Sequence, residues 1–263
     1  MTRQLEILDE LAAEGKDVFE ARDVQQLAGL SPQATSNALA RLMRHGLVDR
    51  VARGRYAMRP LGALGTRAAS EDVALAVGAV FGGRAHRIAY RSALDYHGLL
   101  RHPSREIIVA TDTRTSMRRI SGRPLRVVLE PAGRVMVGAD PSGHGSYVSS
   151  VERALLECAA RPGLARGILE VATALTAANP DARKLRELAR ALRLPSGLQR
   201  LGSLADALEL GTLARELEPV GALRPVRLDP EHGDEGDGGA WRDDKWRVDW
   251  PFSIEELEET VRR

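Results

Sequence analysis

The stretch SPQATSNALARLMRHG (31–46) decides the fold of the amino-terminal region, because it contains the start, the period and the end of one helix. Ser31 is a favourable N-cap, and Pro32 stands at the first helical position, where proline is tolerated. Gly46 follows the last helical residues and ends the helix. Small and apolar side chains recur at helical spacing and predict one packing face: Thr35, Ala38, Leu39 and Leu42.

The opposite face of this helix carries only polar and basic side chains and no acidic one: Gln33, Ser36, Asn37, Arg41 and Arg44. Surface helices usually mix both signs of charge. Short polar side chains on a helix can reach base edges in a major groove, and arginines bind phosphate or guanine. This face therefore predicts a recognition helix that binds a negatively charged partner.

Two helical patterns precede this stretch and a hairpin pattern follows it. Leucines at positions 5, 8 and 11 form the apolar stripe of a first helix, and ARDVQQLAGL (21–30) is a second helix. In LVDRVARGRYAMRP (47–60), Leu47–Val51 and Arg55–Met58 predict two strands joined by a tight turn. Helix, helix, helix and hairpin is the order of a winged helix-turn-helix.

The formal charge changes sign within residues 1–60, although the whole chain carries only +2. Residues 1–30 contain three basic and seven acidic residues, whereas residues 31–60 contain six arginines and one acidic residue, Asp49. The local balance thus moves from −4 to +5 where the third helix begins. Clustered arginines bind a phosphate backbone favourably because they release counterions. We therefore expect double-stranded DNA to contact Gln33, Thr35, Ser36, Asn37, Arg41, Arg44, Arg53 and Arg55.

Two other interpretations of this region stay open. Nearly all positive charge in the chain is arginine, so a basic helix face can reflect composition alone and simply be solvated. The same small fold also serves as a protein-interaction module. The sequence does not say whether Arg41 and Arg44 would read bases, at about 1–3 kcal/mol each, or contact phosphates and change the salt dependence.

The stretch PLGALGTRAAS (60–70) is rich in small residues and predicts a linker at 61–70, between a winged domain at 1–60 and a larger domain at 71–263. In the larger domain we expect helices at 70–81 and 91–100, strands at 105–111, 123–130 and 133–138, and a turn-rich loop at 140–146. Helices at 150–163, 164–178 and 181–193 follow, with one or two more through 197–217. Strands before helices predict an α+β fold, with a mixed α/β carboxy-terminal domain.

The carboxy-terminal part begins with PEHGDEGDGG (230–239), an acidic, glycine-rich stretch that predicts a mobile loop. FSIEELEETVRR (252–263) predicts a short helix with a capping box. All tryptophan in the chain lies between these stretches, at Trp241, Trp246 and Trp250. Alternation with polar residues favours a core strand; the alternative is a partner-binding surface, where tryptophan is a common anchor.

The chain contains no catalytic or metal-binding signature: no P-loop ending in lysine, no HExxH, no CxxC and no GxSxG. The histidines lack zinc-ligand spacing, and Cys158 lies on an apolar stripe as a buried, inert thiol would. We therefore expect no enzyme activity, no cofactor and no metal. One cysteine, no signal-like amino terminus and no apolar run long enough for a bilayer predict a cytoplasmic protein without a membrane partner.

Three stretches resemble the AbiEi family of antitoxins from type IV toxin–antitoxin systems. They are the winged-helix region ending in RGRYAMRP (53–60), IAYRSALDYHGLL (88–100) followed by REIIVAT (105–111), and SSVERALLECAARP (149–162). They occur in the family's order over about residues 3–163. The last hundred residues match only loosely.

The resemblance implies a winged helix that binds an inverted repeat in its own promoter and represses the operon. It also implies a carboxy-terminal domain that counteracts a nucleotidyltransferase-fold toxin, usually without a tight complex. The main alternative is a ligand-responsive winged-helix regulator unrelated to a toxin, which predicts an apolar pocket in the larger domain. An enzyme of unknown type is a third hypothesis, and it predicts carboxylates converging in one cleft.

Overall fold

The computed structural model describes residues 2–59, 73–219, 223–230 and 241–262. The expected linker at 61–70 lies outside the described residues, as does the expected acidic loop apart from Pro230. The described chain forms two compact units, each assembled from separate segments. The first unit comprises Met1–His86, Arg105–Leu129 and Pro141–Tyr147; the second comprises Arg87–Ser104, Glu130–Asp140 and Val148–Arg263.

A winged helix opens the first unit: α1 (Thr2–Ala13), β1 (Val18–Glu20), α2 (Ala21–Ala28), α3 (Pro32–Arg44), β2 (Val48–Ala52) and β3 (Arg55–Met58). The strands form an antiparallel sheet in the order β1-β3-β2. This confirms the three predicted helices and the hairpin. The sequence analysis missed β1, because three residues are too few to display an alternating pattern.

The caps and core of the winged helix follow from its sequence. Ser31 Oγ accepts a hydrogen bond from the backbone of Ala34 at 3.3 Å, and Gly29, just past α2, has the left-handed φ of 60°. In α1 the prediction was wrong at Leu5, which is 46% exposed. The buried core is Ile7, Leu11, Phe19, Val24, Leu39, Leu42, Val48 and Tyr56.

The remaining elements, in chain order, are α4 (Val73–Phe81), β4 (His86–Ile88), α5 (Tyr90–Tyr96), β5 (Ile107–Thr111), β6 (Arg119–Ile120), β7 (Arg123–Leu129), α6 (Ala132–Val135), β8 (Ala139–Gly143), β9 (Ser146–Ser149), α7 (Val151–Ala160), α8 (Ile168–Ala177), α9 (Ala182–Leu192), α10 (Pro195–Ala207), α11 (Gly211–Glu216), β10 (Val226–Arg227), β11 (Trp241–Asp243), β12 (Val248–Trp250) and α12 (Ile254–Arg262). The fold thus mixes helices and strands in both units.

The first unit is larger than the segment 1–60 expected from the sequence. Helix α4 packs against β1, β2 and β3, so it belongs with the winged helix. Strands β5 and β7 pair in parallel from Ile107 and Leu125 to Thr111 and Leu129, and β6 pairs antiparallel with β7. A segment that begins more than forty residues after the winged helix therefore completes the same compact unit.

The second unit is mainly helical. Helix α7 contacts α5, α8, α9 and α10, and its side chains Ala154, Leu155 and Cys158 are fully buried. A small sheet pairs β12 with β10 in parallel and with β11 antiparallel. Helix α12 begins where predicted, with the backbone of Glu256 donating to Ser253 Oγ at 3.3 Å.

Two local predictions were wrong in the middle of the chain. Residues 133–138 contain the short helix α6 and a turn rather than a strand, because the carbonyls of Val135 and Val137 accept hydrogen bonds from the buried Arg153. The expected loop at 140–146 includes most of β8, and only a two-residue turn separates β8 from β9. His144 and Gly145 form that turn with φ of 51° and 68°.

Candidate nucleic-acid interface

Helix α3 separates its side chains into a packed face and an exposed face. Ala38, Leu39 and Leu42 are at most 3% exposed and pack on the core of the winged helix. The opposite face is exposed along most of its length and carries Gln33, Ser36, Asn37, Arg41 and Arg44. A helix of 13 residues is about 20 Å long, which suits insertion into a major groove.

Thr35 does not belong to the exposed face, so its prediction as a DNA-binding residue was wrong. Its side chain is 2% exposed, and its hydroxyl donates to the carbonyl of Ser31 at 3.0 Å. Both features fix the first turn of α3 against the core. Thr35 therefore positions the helix and has no surface to offer a ligand.

The wing divides its two candidate arginines between solvent and protein. Arg53 is exposed in the turn between β2 and β3, beside Gly54 with φ of 74°. Arg55 instead donates from Nη1 to the carbonyls of Ala79 at 2.8 Å and Val80 at 3.1 Å. These carbonyls end α4, where a cation is favourable. The guanidinium of Arg55 thus joins the wing to α4, while its side chain stays 39% exposed, and its role as a DNA contact remains a prediction.

A similar pair removes the one acidic residue of residues 31–60 from the surface charge. Arg59 donates to Asp49 through Nε at 2.9 Å and Nη2 at 2.8 Å, and Arg59 is only 8% exposed. This bidentate pair neutralises Asp49. The exposed arginines that remain are Arg41, Arg44, Arg50 and Arg53, and none of them forms an ion pair with another described residue.

Comparison with protein families assigns this module. Residues 6–59 match the family model described as "Transcriptional regulator, AbiEi antitoxin". The amino-terminal module is similar to this family. The match begins within α1 and ends just after β3, so it includes every candidate DNA-binding residue.

A solved structure extends the comparison to the whole fold of the chain. The crystal structure of the RV2827C protein from Mycobacterium tuberculosis superposes with a TM-score of 0.67, and the match covers 100% of this chain and 96% of that one. Sequence identity is 17%, so the likeness concerns the fold alone. No curated protein matches the chain in sequence.

The second unit places the tryptophans predicted as partner anchors in its interior. Trp246 and Trp250 are at most 2% exposed, so their prediction as a partner-binding surface was wrong and the core interpretation holds. The indole nitrogens donate to Asp206 at 2.7 Å and Ser203 at 2.8 Å respectively. Trp241 stacks on Trp250 with ring centroids 4.9 Å apart and is half-buried. The cluster stabilises the second unit and offers little surface for recognition.

Sequence reasoning missed a buried ionic cluster in the second unit, formed by Arg87, Glu130, Arg153 and Glu157. Arg87 Nη2 lies 2.8 Å from Glu130 and also contacts Glu157, while Arg153 lies 2.9 Å from Glu130 and 2.8 Å from Glu157. Burial opposes the charge of Arg87, but the carboxylates outweigh it and raise the pKa of Arg87. Only the i,i+4 spacing of Arg153 and Glu157 could have indicated it from sequence.

The four groups satisfy one another and the surrounding backbone, which is the arrangement of a structural cluster. Ser149 Oγ donates to Glu157 at 3.2 Å and accepts from Arg87 Nε at 2.9 Å. Neighbouring Tyr90 is buried with φ of 52°, and burial together with the Glu157 carboxylate raises the pKa of its hydroxyl. Each of the two carboxylates thus contacts both arginines.

A cleft of about 350 Å³ lies elsewhere in the second unit. Three leucines line it together with polar and charged side chains: Arg101, His102, Arg166, Glu170, Thr173 and Thr260. Such a lining differs from the apolar pocket that the ligand-responsive alternative predicts. Within the described residues, no helix is both long and apolar enough to span a membrane.

Proposed function

We propose that the protein is a DNA-binding antitoxin that represses its own operon through the winged helix. The observation that carries this proposal is the exposed face of α3, where Arg41 and Arg44 stand beside polar side chains without any acidic residue, on an AbiEi-type module. The pairing of Asp49 with Arg59 supports it, since the remaining surface charge of the module's second half is purely positive.

In the proposed complex, α3 lies in the major groove. Gln33, Ser36 and Asn37 occupy the amino-terminal half of α3, which in helix-turn-helix proteins contacts base edges. Arg41 and Arg44 occupy the last turns and contact either guanine or the flanking phosphates. Arg53 at the tip of the wing contacts the neighbouring backbone or minor groove. An inverted repeat in the promoter would bind two copies of the chain, one on each half-site.

The toxin-directed part of the proposal concerns residues 71–263 and rests on the family description, which names an antitoxin. We propose that this region counteracts a nucleotidyltransferase-fold toxin without catalysis of its own and without a cofactor. The carboxylates of the second unit support a non-enzymatic role, because Glu130 and Glu157 are each held by two arginines. A cytoplasmic location, where both DNA and such a toxin are present, is part of the same proposal.

The test of DNA binding uses the full chain and fluorescence anisotropy. The probe is a duplex from immediately upstream of the chain's own gene, and a scrambled duplex of equal length serves as comparison. Arg41→Ala with Arg44→Ala removes two contacts, so we expect binding to the upstream duplex to weaken by about tenfold to hundredfold. The control Arg190→Ala with Arg215→Ala removes two exposed arginines of the second unit and should bind as the unaltered chain does.

Unchanged affinity of the α3 variant would remove the recognition helix from the proposal. The toxin arm has a separate readout: expression of the neighbouring reading frame, with and without this chain, in cells whose growth is recorded. Growth restored by the unaltered chain supports the antitoxin role. Growth that stays arrested while operator binding is intact would leave a regulator without antitoxin function, which is the ligand-responsive alternative.

A further inference from the structure

A second arginine-rich segment lies beside the wing and comes from a later part of the chain. Residues 113–125, which include β6 and the start of β7, hold four arginines and no acidic residue: Arg114, Arg118, Arg119 and Arg123. Arg114, Arg118 and Arg119 are exposed. The next arginine, Arg126, pairs with Glu106 at 2.9 Å.

A tight turn gives this hairpin a narrow tip. Ser121 and Gly122 both have positive φ, at 48° and 77°, which is the conformation of a two-residue hairpin turn. Arg119 pairs with Pro124 and Ile120 with Arg123 across the turn. Ile120 is fully buried, so the hairpin is anchored by an apolar side chain while its neighbouring arginines remain at the surface.

The tip is hydrogen-bonded to the wing. Strand β2 is the edge of the β1-β3-β2 sheet, and its pairing with β3 shifts between Arg50 and Ala52. This irregularity takes Val51 out of the ladder, and its carbonyl accepts a hydrogen bond from the backbone of Ser121 at 3.0 Å. The hairpin therefore meets β2, an edge strand of its sheet, through this backbone hydrogen bond.

This bond brings two basic segments together within the first unit. Arg53 lies in the turn two residues after Val51, and Arg119 lies two residues before Ser121, so each is at most about 7 Å along the chain from the shared hydrogen bond. Arg50 and Arg118 extend the same two segments. A duplex carries about one negative charge per 1.7 Å of its axis, so adjacent arginines on one edge can contact neighbouring phosphates together.

We propose that the β6–β7 hairpin is a phosphate-binding extension of the wing that contacts the backbone of the duplex held by α3. This inference rests on the proposed DNA-binding function and adds to it a contact made by a remote segment of the chain. Arginines on a strand edge meet the backbone rather than base edges, so the hairpin should strengthen binding to any duplex equally. A duplex is favoured over an acidic protein because the hairpin is bonded directly to the wing.

The experiment compares Arg118→Gln with Arg119→Gln against Arg41→Ala with Arg44→Ala in the full chain. Both variants are titrated with the upstream and scrambled duplexes between 50 and 300 mM salt. Loss of two phosphate contacts should lower the slope of log K against log salt by about 1.8 and weaken binding about tenfold or more at 0.1 M salt. The ratio of upstream to scrambled affinity should stay constant for the hairpin variant and fall for the α3 variant.

Separate outcomes distinguish the two proposals. If the α3 variant loses binding while the hairpin variant keeps both affinity and slope, the hairpin proposal is overturned and the recognition helix stands. If neither variant changes binding, both fail. A hairpin variant that keeps DNA affinity but no longer restores growth beside the toxin would assign the hairpin to a protein partner and also overturn the proposal.

A second variant, Arg118→Glu with Arg119→Glu, should weaken DNA binding further than the glutamine variant does. An unchanged melting temperature confirms that each variant folds.

Discussion

Arg41, Arg44 and Arg53 of the first unit are exposed without an acidic partner, whereas Arg87 and Arg153 of the second unit are buried and each contacts two carboxylates. The two sets are the same residue type within one chain. The difference lies in what surrounds them: a polar helix face in the first unit, and Glu130 with Glu157 in the second. The exposed arginines are therefore the ones that the proposed function assigns to DNA, and the buried arginines are expected to stabilise the fold.

The largest expected effect is a loss of stability on substitution of a buried arginine of the second unit. Arg153→Met leaves Glu130 and Glu157 with one arginine between them and removes the side-chain donor to the carbonyl of Val137. Removing one partner of a buried ionic group costs about 3–5 kcal/mol. Urea unfolding should show that loss in the free energy of unfolding. Arg41→Met is the matched control and should change stability by no more than about 0.5 kcal/mol. Equal effects of the two substitutions would contradict the distinction.

Arg55 makes the comparison sharper, because it lies in the first unit yet is bonded like an arginine of the second. Arg55→Ala removes the charged hydrogen bonds to Ala79 and Val80, and should cost about 1.5–3 kcal/mol of unfolding free energy. Arg53→Ala, only two residues away, should leave the unfolding midpoint unchanged and weaken DNA binding. If Arg55→Ala weakened DNA binding at full stability, its assignment as an internal anchor would be wrong.

The third prediction concerns the packing of Trp246 in the interior of the second unit. A Cβ added at Gly202 on α10 would overlap the indole ring of Trp246. Gly202→Ala should therefore destabilise the protein by about 1–3 kcal/mol through overpacking. At Gly133, nothing lies within 4 Å of an added Cβ, so Gly133→Ala is the control and should be neutral or slightly stabilising. Thermal unfolding followed by tryptophan fluorescence measures both.

The smallest expected effect concerns a pair at the surface of the second unit. Lys184 Nζ lies 2.8 Å from Glu152; burial raises the pKa of Glu152, but the hydrogen bond from Lys184 outweighs it, so the pKa lies below its ordinary value. The same hydrogen bond raises the pKa of Lys184. Stability from the pair is therefore present between about pH 5 and pH 10 and is lost as Glu152 protonates in acid or Lys184 deprotonates in base.

Glu152→Gln should cost less than about 1 kcal/mol at pH 7, because Lys184 is 44% exposed and the pair is screened by solvent. Urea unfolding at pH 7 and at pH 3 measures the difference between the variant and the unaltered chain. That difference should shrink at the lower pH. A cost that stayed constant between the two would mean that Glu152 acts through packing rather than charge.

Much of the winged helix could be predicted from sequence because its signals are local. Ser31, Pro32 and Gly46 bound α3, and the apolar spacing gives its buried face. The hydrogen-bond partners of Arg55 and Arg59 could not be predicted, because they lie on other elements. Arg55 bonds to carbonyls of α4, and Arg59 bonds to Asp49. Position in helix or turn selected Arg41, Arg44, Arg53 and Arg55 as DNA contacts, but it could not show that Arg55 would bond to α4.

The errors in the second half have the same cause. Residues 133–138 alternate like a strand, yet their carbonyls are satisfied by Arg153, which lies on a helix further along the chain. From the sequence, Trp246 and Trp250 could be core or surface residues. In the structure their indole nitrogens donate to Asp206 and Ser203, which lie on α10. Periodicity reports which side of an element is apolar, and it does not report which distant group will meet a backbone carbonyl or an indole nitrogen.

The hydrogen bond between Ser121 and Val51 has a practical consequence for genetic dissection. Repressors of two domains are commonly split by a stop codon after the DNA-binding part. Here a fragment ending at His86 would lack the segments 105–129 and 141–147 of its own unit, and the edge of β2 would lose its hydrogen bond from Ser121. Such a fragment should self-associate through that edge. Single substitutions therefore separate the proposed functions of this chain better than truncation does.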